Sequence, residues 1–105
     1  MTTDGTAFRI EPAGDGRTFV LTGELDLASA DLVTEATGSL VGDGDVVFEL
    51  AGLTFIDSSG LRAVLQVAER IPEGKLVLRA PTDAVQRVLD IVGLADASPR
   101  VVVDA

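Results

Sequence analysis

Apolar and polar positions along this 105-residue chain switch between a period near two and a period near 3.6, and the switches mark out its elements. Phe8–Glu11 and Arg17–Thr22 read as two short strands joined by Pro12-Ala13-Gly14-Asp15-Gly16, a turn-forming cluster that signals a hairpin. A helix is expected from about Leu27 to Leu40, with Ala28, Leu32, Val33, Ala36 and Leu40 on one face. Asp26 or Ser29 is placed to cap it, and Gly42-Asp43-Gly44 ends the region. Val46–Leu50 is short, β-branched and nearly continuous in apolarity, the pattern of a central strand covered on both faces. Leu61, Val64, Leu65, Ala68 and Ile71 then form a helical stripe that Pro72 and Gly74 stop. Leu76-Val77-Leu78 reads as another buried strand. Pro81 and Thr82 introduce a helix carrying Val85, Val88, Leu89 and Val92, which Gly93 closes. Val101-Val102-Val103 makes a last strand.

The predicted order is β-β-α-β-α-β-α-β. Alternating buried strands and amphipathic helices predict one α/β domain over 1–105, with a loose start at 1–6. The leading hairpin makes its sheet mixed, and the later strands are parallel. Reactive groups in such sheets gather beyond the carboxyl ends of strands. Thr54-Phe55-Ile56-Asp57-Ser58-Ser59-Gly60-Leu61 lies there, at a strand-to-helix junction.

Composition narrows the chemistry of that junction. The chain has no histidine and no cysteine to activate its hydroxyls, so a Ser-His nucleophile, a thiolate and a zinc site are all excluded. A nucleophile elbow needs glycine two residues before the serine, and Ile56 and Asp57 stand there instead. The single lysine, Lys75, belongs to no phosphate-binding glycine loop. Glu24 and Asp26 read as a solvated edge rather than a catalytic carboxylate pair. A receiver domain phosphorylated on Asp57 would need an acidic pair after the first strand and a late lysine, and this chain has neither in the expected place. No enzyme activity, metal or cofactor is expected.

A helix N-terminus exposes unpaired N–H groups and tolerates a phosphate, so the junction reads as one that receives a phosphoryl group. The plain alternative is a helix cap. Asp57, Ser58 and Ser59 supply three candidates where one suffices, and Gly60 costs up to ~1 kcal/mol inside a first turn.

Net charge is −9, with eight scattered basic residues and four Phe as the only aromatics. Nucleic acid needs a clustered basic face, so it is not an expected partner; a basic or mixed-charge protein surface is. No apolar run approaches the ~20 residues that span a bilayer, and the N-terminus lacks a basic signal-peptide start. The expectation is a cytoplasmic chain away from membranes.

Three segments resemble a known family. They are Leu21-Thr22-Gly23-Glu24-Leu25-Asp26, then Leu53–Leu61, then Val88-Leu89-Asp90-Ile91-Val92-Gly93-Leu94. In that order and spacing they are similar to bacterial anti-sigma factor antagonists, which are stand-alone STAS domains. The resemblance implies a STAS-type fold and a partner-switching function. The unphosphorylated protein binds an anti-sigma factor that is also a serine kinase, which frees the sigma factor. The kinase phosphorylates the serine matching Ser58, and a PP2C-type phosphatase reverses this; ATP and metal belong to those partners. Asp57, Ser59 and Gly60 are then expected to support the phosphorylation loop, Gly60 either by allowing close approach of kinase or phosphate or by relieving crowding. Gly23, Glu24, Asp26, Thr54 and Ser58 are expected at the partner surface, although capping explains Asp26 as well. Leu61, Val64 and Leu89 are expected in the core. Relatives also serve as accessory subunits of lipid-transport complexes, an alternative with the same fold; the lack of an appended segment favours the free antagonist. A small-molecule sensor would instead show a sizeable apolar pocket near the strand ends.

Overall fold

The computed structural model describes residues 7–14, 16–38, 44–71, 73–93 and 99–104. The expectations for 1–6, Ser39–Asp43 and Pro72 lie outside the described residues. Within them the chain runs β1 (Arg9–Ala13), β2 (Thr18–Leu25), α1 (Ala30–Ala36), β3 (Val46–Ile56), α2 (Ser58–Arg70), β4 (Leu76–Arg79), α3 (Asp83–Val92) and β5 (Val101–Asp104). This is the order that the periodicity predicts.

The five strands form one sheet in chain order. β1 is antiparallel to β2, and every later neighbour is parallel. Pro12 sits inside β1, opposite Phe19, where the hairpin reading places a turn. Proline lacks the N–H a ladder needs, and an edge strand is where a sheet tolerates it.

Because strand order follows chain order, each right-handed crossover places its helix on the same side of the sheet. Phe19, Leu21 and Leu25 of β2, Val46, Phe48 and Leu50 of β3, and Leu76 and Leu78 of β4 join buried residues of the three helices in one core. On the other face Val47, Glu49 and Val77 are half-buried, and Val20 and Val102 are exposed. The expectation that Val46–Leu50 is covered on both faces is therefore corrected: one side is covered.

β3 is the largest departure from the sequence pattern. It extends six residues past Leu50, to Ile56. Its pairing with β2 skips a β3 residue between Val20↔Glu49 and Thr22↔Gly52, and another between Gly23↔Leu53 and Glu24↔Phe55. Two bulges thus let the ten residues Val47–Ile56 lie beside the eight residues of β2. Each bulge breaks the alternation that a strand is read by, so the segment after Leu50 does not look like a strand in sequence.

α1 is shorter than the Leu27–Leu40 expectation. Asp26 starts a tight turn in which its carbonyl accepts from the Ser29 and Ala30 N–H groups, at 3.1 and 2.9 Å. Ser29 occupies the cap position without capping; its hydroxyl donates back to the Glu24 carbonyl (3.1 Å) and to Asp26 Oδ1 (3.1 Å). Among the described residues of the predicted face only Val33 is fully buried, while Ala28 and Leu32 are exposed. α2 keeps its predicted stripe, with Leu61, Val64 and Ala68 buried and Ile71 at its C-cap. α3 is capped by Thr82, whose hydroxyl also donates to the Leu53 carbonyl at 2.8 Å and so ties α3 to the bulged part of β3.

Candidate functional site

Parallel pairing brings the carboxyl ends of β2 and β3 together, and the first two resemblance segments with them. The Asp57 N–H donates to the Leu25 carbonyl at 3.1 Å, and the Thr54 hydroxyl donates to the Gly23 carbonyl at 3.1 Å. Gly23, Glu24, Asp26, Thr54, Asp57 and Ser58 therefore share one rim of the domain. Val88–Val92 of the third segment lie on α3, which starts at this rim and runs away from it for ~15 Å; Leu94 lies outside the described residues.

Asp57 is the N-cap of α2. Its backbone is extended, and its Oδ1 accepts from the Gly60 N–H at 3.0 Å. Ser59, the alternative cap, lies one turn position inside the helix and caps nothing. One carboxylate thus fills the capping role. Ser58 is the first helical residue, exposed, and its hydroxyl bonds to no described residue. Its N–H and that of Ser59 also lack partners among the described residues. The result is a free hydroxyl beside two free amides at the positive end of a 13-residue helix.

Gly60 is buried, and a Cβ there would lie 2.8 Å from Leu25 Cγ and 2.9 Å from Ile56 Cγ1. Of its two expected roles the geometry supports relief of crowding: it lets the first turn of α2 press against the ends of β2 and β3. Gly23 has φ +90°, and a Cβ there would approach the Ala7 carbonyl oxygen to 2.2 Å. It is buried and shapes the rim from beneath, whereas Thr54 is exposed and Glu24 and Asp26 are half-exposed.

The rim is acidic: Glu24 and Asp26 stand at the end of β2, Asp57 at the end of β3 and Asp31 in the first turn of α1, with Arg62 one turn along α2. A shallow groove of about 210 Å³ between α1 and α2, lined by Leu27, Asp31, Ser59 and Arg62 among others, opens beside it. It is a surface groove with mixed lining, not the apolar chamber of a small-molecule sensor. Sequence reasoning missed Leu27, taking it for the start of a helix; it is 78% exposed on the turn before α1. Phe55 was also passed over, and is 45% exposed. Among the described residues no cluster of acidic side chains is arranged to hold a metal. No described helix is long and apolar enough to cross a membrane.

Comparison with known proteins places this geometry. The family model of the STAS domain matches residues 9–101. An anti-sigma factor antagonist from Mycobacterium paratuberculosis superimposes with a TM-score of 0.66 at 26% identity, over 91% of this chain and 84% of that one. The anti-sigma factor antagonist SpoIIAA, in its unphosphorylated form, gives 0.63 at 25% identity, over 94% and 89%. A Thermotoga maritima protein assigned as an anti-sigma factor antagonist gives 0.68 at 19% identity, over 93% and 86%, which speaks to fold alone.

Proposed function

The chain belongs to the STAS domain family, and on that footing we propose that it is an anti-sigma factor antagonist switched by phosphorylation of Ser58. It acts as a binding module and a kinase substrate, not as an enzyme. Its unphosphorylated form binds an anti-sigma factor with serine kinase activity and so frees a sigma factor. A PP2C-type phosphatase restores the binding form.

One observation carries this reading: Ser58 is exposed and its hydroxyl bonds to no described residue, the cap being taken by Asp57. A phosphate there adds about −1.5 to −2 charge at pH 7. Within the chain, the unpaired amides of Ser58 and Ser59 partly offset that charge, so the fold tolerates it. Toward a partner it deepens an already acidic rim. Two like unit charges 4 Å apart at an effective dielectric constant near 20 repel by ~4 kcal/mol. Every 1.4 kcal/mol is tenfold, so half of that repulsion suffices to release a micromolar partner.

The test is peptide-mapped mass spectrometry after incubation with the candidate anti-sigma kinase and Mg-ATP, with Ser58→Ala alongside. Phosphate on Ser58, lost in the variant, is the expected result. No phosphate from a kinase shown to be active on another substrate would turn the reading toward a transport-accessory STAS domain.

A further inference from the structure

Leu27 and Phe55 are large apolar side chains exposed to solvent at the same rim as Ser58, Leu27 on the turn before α1 and Phe55 near the end of β3. Leu27, 78% exposed, borders the groove shared with Ser59 and Arg62. Phe55, 45% exposed, pairs across the sheet with Glu24. The next pair, Leu25↔Ile56, is buried, so the pleat turns Phe55 to the open face of the sheet. The exposure of Leu27 is built into the turn. Asp26 Oδ1 accepts from the Ala28 N–H at 3.0 Å, and Ser29 Oγ accepts from the Asp26 N–H at 3.0 Å. That turn points an apolar side chain outward while Ser29, two residues on, is buried.

We infer that Leu27, seconded by Phe55, is the apolar anchor on which the anti-sigma kinase seats. This rests on the Ser58 reading. A kinase that phosphorylates Ser58 brings its γ-phosphate against the hydroxyl, so it covers the surface around that atom. A standard interface buries ~800 Å² per partner, a disc roughly 16 Å in radius. Leu27 lines the same groove as Ser59 and falls inside it. Large apolar groups in such a footprint gain most from leaving water, and the polar groups around them fix orientation. The surrounding Glu24, Asp26, Asp31 and Asp57 specify the seat on the other side: an apolar pocket rimmed by basic side chains. Ile91, equally bare at 76% exposure, sits near the end of α3 that points away from the rim and lines no part of the groove beside Ser59.

The test compares wild type, Leu27→Ala and Ile91→Ala for calorimetric affinity toward the purified anti-sigma kinase encoded nearest this chain's gene, with ADP. Ser58 phosphorylation rates are measured in parallel. Both substituted side chains are exposed, and thermal denaturation confirms that the variants stay folded. Leu27→Ala should bind about tenfold to hundredfold more weakly, with Ile91→Ala matching wild type. A wild type that binds and is phosphorylated on Ser58, beside a Leu27→Ala variant that binds equally well, overturns the anchor and leaves the Ser58 reading standing. Equal losses in both variants also overturn it. A wild type that an active kinase neither binds nor phosphorylates removes the Ser58 reading and the anchor with it.

Discussion

The carboxylate of Asp57 accepts the Gly60 N–H at 3.0 Å, and beside that bond the Ser58 hydroxyl has no partner among the described residues. Aspartate is an excellent cap, so the neighbouring serine is not drawn into the role. The capping and the exposed hydroxyl, which compete as explanations of the same tripeptide, are two consequences of one bond.

Asp57→Ala should lower stability by about 1 kcal/mol, the usual worth of such a cap. Asp57→Asn keeps an acceptor at the same place and should recover most of the loss. Urea denaturation of the two variants checks this; equal losses would mean that the charge matters and the cap does not.

Gly60→Ala should destabilise, although alanine is favoured over glycine in a helix by up to ~1 kcal/mol. The added Cβ meets Leu25 and Ile56 below 3.0 Å, and overpacking of that kind costs ~1–3 kcal/mol. A gain in the denaturation midpoint would show that the first turn of α2 has room to move off β2.

Ser58→Glu should leave far-ultraviolet circular dichroism unchanged. Stability at low salt should stay level or rise by up to ~1 kcal/mol, since an acidic group joins the N-terminus of α2. Affinity for the anti-sigma partner should fall by roughly thirtyfold, from about half the contact repulsion expected of a full phosphate. Parallel loss of helical signal would instead place the effect in the fold.

Ala80→Gly tests a strained joint. Ala80 holds φ 55° between β4 and α3, with its N–H donating to the Asp104 carbonyl at 2.7 Å. A non-glycine residue in the left-handed region costs ~1–2 kcal/mol, while glycine's extra freedom in the unfolded chain returns ~0.4–1 kcal/mol. The net expectation is stabilisation of up to about 1 kcal/mol, read as a higher midpoint in urea. A lower midpoint would mean that the joint carries no strain.

Legibility of the molecule varied with how local its signals are. The α2 stripe, its start beside Ser58 and the start of α3 after Pro81-Thr82 are all readable, because neighbours three and four residues apart decide them. The end of β3 was not. Gly52 and Thr54 interrupt the apolar run, and the strand continues only because β2 lies alongside with bulges that absorb two extra residues. α1 was overextended for a related reason: Leu27 and Ala28 fit a helical wheel, but the Asp26 turn bonds leave them outside the helix.

The sequence by itself determined the order of elements, the mixed sheet and the place of Ser58 at a strand-to-helix junction, since side-chain period is a property of the local backbone. Only the tertiary structure decided what the glycines at the rim are for and which apolar residues stay wet. Gly60 is small because Leu25, 35 positions earlier in the chain, stands against it, and Leu27 is bare because no described residue covers its turn. Both depend on which distant residue arrives as a neighbour, and periodicity along a chain carries no record of that.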